Sequence, residues 1–259
     1  MQCKPYIGVS GITEPLHTHA ALAAFGMHHP RRLLSIGILA SHKSVNGKPL
    51  KAPWGKRTPP VNRIAELLVC DERVLNLVHY APGDANGDEA LADLHLIAIE
   101  AGLCLDGFQW NGALPDLEIL RICRTQRDLF PRAPRIVLSV NEGTLREAGD
   151  DFAKVARRLE PYAGLAHYVL FDASGGKGKP LSVPRARAFL EACRGARLPF
   201  TFGVAGGLGP DTLAPYHELL ADFPDTGSDM EGAIRDEQNE LSITKMKAAI
   251  ASIALMTYR

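Results

Sequence analysis

Two aspartates stand close to the ends of apolar segments, where they could exchange protons with a ligand. Asp172 directly follows the apolar run 167–171, and Asp229 lies in the short polar segment 225–232. A carboxylate at the edge of an apolar core can have a raised pKa and act as a general acid or base. Two such groups close together could divide the acid and base roles or hold a cation. Helix caps and turns use Asp in the same places, which is the simpler interpretation.

A histidine and several glycines add to these candidates. His79 ends an apolar run, and an imidazole titrates in the range that suits a base, although a buried structural histidine is an equal alternative. Gly206 and Gly207 would let backbone amides approach a ligand, and a helix beginning near Asp211 would direct its amides the same way, which suits an anion. An ordinary turn explains the glycine pair as well. The glycines around Lys177 do not have the spacing of a Walker A loop.

Short apolar runs alternate with helical patterns about eight times along the chain. Alternation of this kind predicts right-handed βαβ units and a parallel sheet. Eight units in 259 residues predict one domain, 1–259, folded as a (β/α)8 barrel, a TIM barrel with eight parallel strands and outer helices. An open doubly wound sheet is the alternative, but the expected G-x-G-x-x-G after the first strand is missing. The predicted strands are 6–9, 33–40, 74–79, 105–110, 135–140, 167–171, 200–204 and a weak one at 226–228.

A long polar segment, 41–61, follows the second predicted strand and is rich in Pro, Gly and Lys. Connections of this length are usually lids, binding loops or disordered inserts. Since active sites of (β/α)8 barrels lie at the carboxyl ends of the strands, the insert should lie on the catalytic rim. Trp54 within it could stack on a ligand or simply anchor the loop.

The composition of the chain limits the classes of binding partner that the sequence predicts. Lys plus Arg equals Asp plus Glu at 29 each, so no basic excess points to nucleic acid. No apolar run is long enough to predict a membrane helix, and the first residues do not resemble a signal peptide. We therefore expect a cytoplasmic protein, monomeric or homodimeric, that binds a small-molecule substrate without a cofactor or metal. The five scattered cysteines are expected to be reduced thiols, and the histidines near the first helix are expected to be surface residues rather than zinc ligands.

Five short segments, in order along nearly the whole chain, resemble motifs of the phosphoribosylanthranilate isomerase family. Residues 11–13 (GIT) are similar to the end of that family's K-I-C-G-I-T, and 108–112 (FQWNG) to V-Q-L-H-G. Residues 171–179 are similar to L-D-A followed by G-G-T-G-K, 205–208 to A-G-G-L, and 225–231 to D-V-S-S-G-V-E. The chain is longer than usual for the family, mainly in the 41–61 insert. The resemblance implies a substrate-binding set that comprises Gln109, Gly175, Gly176, Gly178, Gly206, Gly207, Gly227 and Ser228.

The family's reaction is an Amadori rearrangement, in which an acid opens a sugar ring and a base removes the C2 proton. The resemblance assigns the acid to Asp172 and the base to position 10, where this chain has Ser10 in place of the family's Cys. An alcohol is not deprotonated near neutral pH without a neighbouring base. The second departure is Asp229, which replaces a glycine of the phosphate-binding segment and would repel a phosphate dianion. Either the substrate lacks that phosphate, or Asp229 has a new role.

Three hypotheses remain open. The first is an isomerase or related acid–base enzyme that acts on a small sugar-derived or carboxylated metabolite, with Asp172, Ser10, Asp229 and His79 as candidate catalytic residues. The second is a non-catalytic small-molecule-binding barrel that has lost the isomerase activity. The third is a phosphoribosylanthranilate isomerase whose base has been replaced by His79 or Asp229.

Overall fold

The computed structural model describes residues 3–26, 29, 31–130, 132–172 and 179–258. Within these residues eight parallel strands, β1–β8 in chain order, close into a barrel. The strands are β1 Tyr6–Ser10, β2 Leu33–Ser41, β3 Val74–Ala81, β4 Gly107–Trp110, β5 Arg135–Asn141, β6 Tyr168–Asp172, β7 Thr201–Ala205 and β8 Gly227–Met230.

Helices connect successive strands and form the outer layer. They are α1 Pro15–Phe25, α2 His42–Val45, α3 Trp54–Arg57, α4 Ile64–Leu67, α5 Gly87–Ala101, α6 Leu117–Thr125, α7 Glu142–Glu147, α8 Phe152–Leu159, α9 Val183–Gly195, α10 Ala214–Asp222 and α11 Ile243–Thr257. No helix in the described part of the chain combines the length and the apolarity that crossing a membrane requires.

Parallel pairing of β1 with β8 closes the barrel, with Gly8 opposite Asp229 and Val9 opposite Met230. The predicted (β/α)8 fold is therefore confirmed, and the open doubly wound alternative is wrong. Strand ends differ from the prediction by one or two residues. At β8 this difference matters, because Asp229 belongs to the strand itself and not to the loop that follows it.

Two predicted helices have different bounds. The single helix expected over 144–159 is divided into α7 and α8, because Gly149 and Asp150 adopt positive φ angles of 68° and 55°. Asp151 then caps α8 by accepting hydrogen bonds from the amides of Ala153 and Lys154. The helix expected near Asp211 begins at Ala214 and has no side-chain cap, so the predicted anion-binding amides at Asp211 do not belong to a helix.

The core has two layers. Outward side chains of the strands pack against the helices in a continuous apolar cluster that includes Ile7, Val9, Ile36 and Ile38. Inward side chains fill the amino-terminal half of the barrel, where Tyr6, Leu75, Leu77, Val137, Tyr168 and Leu170 form a second cluster. Strands buried on both faces explain the near-continuous apolar runs in the sequence.

The expectation that all five cysteines are reduced is wrong for one pair. Cys70 and Cys104 form a disulfide with a Cα–Cα distance of 4.9 Å, while Cys3, Cys123 and Cys193 are free. The paired cysteines precede β3 and β4, which are neighbours in the barrel. A sequence separation of 34 residues gave no CxxC-type pattern by which the pair could be recognised.

Candidate active site

Inward positions of the barrel change from apolar to polar along the strands. On β3 the inward row runs Leu75, Leu77, His79, and on β6 it runs Tyr168, Leu170, Asp172. The inward rows of β1 and β5 end in Ser10 and Asn141, and on β8 the last inward residue is Asp229, one residue before the end of the strand. Because alternate residues of a strand face the same side, these polar groups converge at the carboxyl end of the barrel. This end is where (β/α)8 enzymes carry their active sites.

Three of the predicted residues lie in contact inside this polar end. The Ser10 hydroxyl donates a 2.6 Å hydrogen bond to Oδ1 of Asp229, and its Oγ lies 3.4 Å from Nδ1 of His79. Since the hydroxyl proton is directed to Asp229, Oγ can accept a hydrogen bond from Nδ1–H of the imidazole. The exposed fractions are 1% for Ser10, 3% for His79 and 9% for Asp229, so Asp229 is the most accessible of the three.

Two inward glycines make room for this arrangement. A Cβ atom at Gly8 would lie 2.7 Å from Oδ1 of Asp229, and one at Gly37 would lie 2.6 Å from Nε2 of His79 and 2.9 Å from Oγ of Ser10. Glycine inside a strand weakens the sheet and often marks the close approach of another group. Here both glycines allow polar side chains to occupy the barrel axis.

Burial raises the pKa of Asp229 from 3.8 to about 7. The Ser10 hydrogen bond and the Met230 amide lower this pKa, whereas the nearby carboxylates of Glu231 and Asp172 raise it. Burial of an acid disfavours its charged form, and like charges have the same effect. A carboxyl group whose pKa is near 7 is available in both protonation states at neutral pH.

The pKa of His79 is shifted in the opposite direction to that of Asp229. Burial lowers its pKa from 6.5 to about 3, so the imidazole is neutral at neutral pH. A group with so low a pKa is a weak base. Its position favours a role as a neutral hydrogen-bond donor or acceptor beside Ser10 over that of a general base.

Asp172 and Gln109 lie at other points of the same polar end. Asp172 is the last residue of β6 and is half-buried, with Asn141 of β5 opposite it in register. Gln109 is buried on β4 and donates through Nε2 to Oδ1 of Asn111 at 3.0 Å. Among the described residues its Oε1 has no hydrogen-bond partner.

The predicted glycine-rich binding segments do not all lie on the rim of the barrel. Gly206 and Gly207 follow β7 on the rim with φ angles of 130° and 54°, a conformation that favours glycine. Gly227 and Ser228 are buried within β8, away from the rim loop in which a phosphate cradle was expected. Gly175, Gly176 and Gly178 lie outside the described residues.

Sequence reasoning missed the charged pair beside Asp229. Glu231 lies two residues after Asp229, so the two-residue period of the strand would have placed it on the same side. Its Oε1 accepts a 2.9 Å hydrogen bond from Nη1 of Arg57, which the 41–61 insert brings to the rim. Arg235 also reaches the rim and donates through Nη2 to the carbonyl of Gly11 at 3.0 Å. No sequence signal separated Arg57 from the other basic residues of the insert.

The chemistry of the site depends on carboxylates and hydroxyls. In the described ranges, His, Cys, Asp and Glu side chains form no group of three that could hold a metal ion. Asp172, Asp229 and Glu231 interact electrostatically, but Arg57 neutralises one of them directly. The arrangement is thus suited to proton transfer.

Comparisons with known proteins show the fold. No protein-family model matches the chain, and no curated protein matches its sequence. Among solved structures, phosphoribosyl anthranilate isomerase from Thermococcus kodakaraensis superposes with a TM-score of 0.57 at 14% identity, over 96% of this chain and 98% of the other.

Solved structures of proteins with other titles are similar to a comparable degree. Tryptophan synthase subunit alpha from Legionella pneumophila str. Paris gives a TM-score of 0.58 at 14% identity, over 98% of this chain and 92% of the other. YagE, a prophage protein of the dihydrodipicolinic acid synthase family from E. coli K12, gives 0.52 at 15% identity, over 97% and 78%. At identities this low, the structural similarity shows a shared (β/α)8 barrel fold and does not by itself show a shared function.

Proposed function

We propose that this barrel is an acid–base isomerase that acts on a small sugar-derived substrate, with Asp229 as the group that accepts and returns the proton. The observation that carries the proposal is the buried carboxyl of Asp229, whose pKa is about 7, held by Ser10 at the polar end of the barrel. General acid–base catalysis is most efficient when the catalytic pKa is near the working pH. Asp229 would then take the role that a cysteine has in the isomerase family that the sequence resembles.

The chemistry is a proton transfer between adjacent carbons. Ionised Asp229 would remove the proton from the carbon next to a carbonyl or imine, and an enediol-type intermediate would form as the oxygen or nitrogen is protonated. Asp172, at the end of β6 on the same rim, is the candidate for this second proton. Return of the first proton from Asp229 to the neighbouring carbon restores its carboxylate. The hydroxyl on the carbon that lost the proton gives its own proton back to Asp172 as it becomes the new carbonyl, which completes the isomerisation.

The charges of the rim favour a substrate without a phosphate near β8. Asp229 occupies the position at which the related motif has a glycine, and Glu231 adds a second carboxylate beside it. Like charges at short range repel strongly in a partly desolvated site. A hydroxylated, uncharged substrate would instead meet the amide groups of Gln109 and Asn111.

Incubation in D2O with candidate sugars tests the proposal. The purified protein is incubated with free aldoses and ketoses, their phosphates, and freshly generated phosphoribosylanthranilate, and carbon-bound proton exchange and product are followed by proton NMR. We expect exchange with an unphosphorylated sugar, a loss of at least about 100-fold in Asp229→Asn, and wild-type rates in the control Glu191→Gln on the exposed face of α9. Unchanged exchange in Asp229→Asn would reject the assignment of Asp229.

A non-catalytic binding protein is the second candidate, favoured by the replacement of the family's cysteine by Ser10 and by the near-complete burial of Ser10 and His79. In that case the same sugars would raise the melting temperature without any carbon-bound exchange. Turnover of phosphoribosylanthranilate that disappears in Asp229→Asn would instead support the third hypothesis, an intact family activity with a replaced base.

A further inference from the structure

The 41–61 insert is fixed to the segment after β8 by a set of contacts that we call the rim contact, formed by residues 53–57 and 231–240. Arg57 is its centre. Its Nη1 donates to Glu231, its Nε donates to Oδ1 of Asn239 at 3.0 Å, and its Nη2 donates to the same oxygen. The guanidinium also lies 5.3 Å from the ring centre of Trp54, within the range of a cation–π interaction.

The rest of the rim contact is more exposed. Lys56 pairs with Glu240 at 3.1 Å, and more than half of each side chain is accessible. In contrast, Arg57 and Glu231 retain 10% and 17% of their side-chain exposure. A nearly buried ion pair is weakly screened by solvent, whereas exposed pairs of this kind contribute little. Arg57 is therefore the residue of the insert whose charge can act on the interior.

Glu231 links Arg57 to the candidate proton-transfer group. Both Glu231 and Asp172 act electrostatically on Asp229, and Asp172 also acts on Glu231, so the three carboxyl groups form one coupled set. The other groups that face Asp229 are the Ser10 hydroxyl and the buried phenol of Tyr6 from β1, with neutral His79 from β3 behind Ser10. Among the described residues, Arg57 and Arg235 are cations that act on Glu231.

We propose that Arg57 is a positioning residue that keeps Glu231 ionised and thereby sets the proton occupancy of Asp229, so that the insert completes the acid–base site. Replacing the guanidinium by an uncharged group leaves the three carboxyls with one cation fewer. Glu231 then takes up a proton at neutral pH, because a partly desolvated carboxylate keeps its charge only beside a compensating cation, and neutral Glu231 no longer disfavours the ionised form of Asp229.

This inference rests on the proposed function, but it can be tested without measuring enzymatic turnover. Aspartate carboxyl carbons are labelled with carbon-13, the Asp229 signal is assigned by its loss in Asp229→Asn, and its titration is followed by NMR. We expect Arg57→Met to move the midpoint of Asp229 downward by about 1 pH unit, because Glu231 without its cation takes up a proton and no longer repels the Asp229 carboxylate. Arg57→Lys, which restores the charge, should return the midpoint most of the way towards the wild-type value.

Lys56→Met is the matched control, since it removes one positive charge from the same helix at an exposed pair. It should leave the Asp229 midpoint within a few tenths of a unit. An Asp229 midpoint that is the same in folded Arg57→Met and wild type would overturn the proposal. If Arg57→Met does not fold, Glu231→Gln gives a parallel test, because removing the anion should likewise lower the midpoint of Asp229. Absence of isomerase activity with a shifted midpoint would reject the function and retain the coupling.

Discussion

Ser10 and Asp229 are joined across the β1–β8 junction by a 2.6 Å hydrogen bond at the point where the barrel closes. Among the described residues, Ser10 is the one side chain that donates a hydrogen bond to Asp229, and this bond opposes the larger effect of burial on the Asp229 pKa. A serine in this position therefore holds the carboxylate on which the proposed acid–base chemistry depends. The consequence can be measured without knowing the substrate.

Asp229→Asn should stabilise the protein, and more so at higher pH. The folded-state pKa is raised from 3.8 to about 7, so between these values the unfolded chain releases a proton that the folded chain retains. The stability of the wild type therefore falls as pH rises through this window and is level above it. The shift corresponds to a difference on the order of 4 kcal/mol.

The measurement is the free energy of unfolding in urea from pH 4 to pH 8 for wild type and Asp229→Asn. The free energy of unfolding of Asp229→Asn should exceed that of the wild type by an amount that increases as the pH rises towards 7. Glu191→Gln, on the exposed face of α9, is the control and should keep the wild-type pH dependence. Parallel curves for wild type and Asp229→Asn would show that Asp229 does not titrate in this range.

Gly37→Ala should destabilise the polar end of the barrel. The added methyl group would lie 2.6 Å from Nε2 of His79 and 2.9 Å from Oγ of Ser10, and a rigid imidazole inside a closed barrel has little room to move. Overpacking of this kind typically costs about 1–3 kcal/mol. Gly195→Ala is the matched control, because nothing lies within 4 Å of the position of its added Cβ and it stands at the end of α9. Chemical denaturation should show a loss for Gly37→Ala and no loss for Gly195→Ala.

The barrel itself could be predicted because each strand carries its own local signal. Runs such as 33–40 are apolar on both faces, and eight of them separated by helical patterns fit only a few architectures. The bounds of β8 were harder to predict because Gly227, Ser228 and Asp229 lack the branched apolar residues typical of strands. Their conformation depends on pairing with β1 and β7, which the local sequence does not show.

The candidate site could be predicted only in part, because some of its contacts join residues that are distant in the sequence. Asp172 was predicted from its position at a strand end, and Ser10 and Asp229 from the resemblance to family motifs, whereas Arg57 lies 174 residues from Glu231 along the chain. A contact of that separation depends on how the insert packs on the rim. Gly37 carried a usable signal, since a glycine inside the run LLSIGILA indicates a close approach of other atoms.

Thiol chemistry should reveal three free cysteines rather than five. Cys70 and Cys104 are paired, and a loop closed over 34 residues is expected to stabilise the fold by roughly 4 kcal/mol through the unfolded chain. Thiol titration of the denatured, unreduced protein should give the count. Melting temperature should fall on reduction in the wild type and in Cys3→Ser, but not in a Cys70→Ser, Cys104→Ser double variant. Five reactive thiols in protein prepared without reductant would contradict the pairing.

Ser10→Cys should fail to restore the base of the related family, although it restores the residue. A thiol at this buried position would lie beside Oδ1 of Asp229, and both burial and a neighbouring anion raise the pKa of a thiol. We expect the thiolate, followed by its ultraviolet absorbance, to form only above about pH 8.5, and phosphoribosylanthranilate turnover to remain at the wild-type level. The double variant Ser10→Cys, Asp229→Asn removes the anion and should lower the thiol pKa relative to the single variant. A thiolate at neutral pH in the single variant would mean that Asp229 is protonated there or turned away from residue 10.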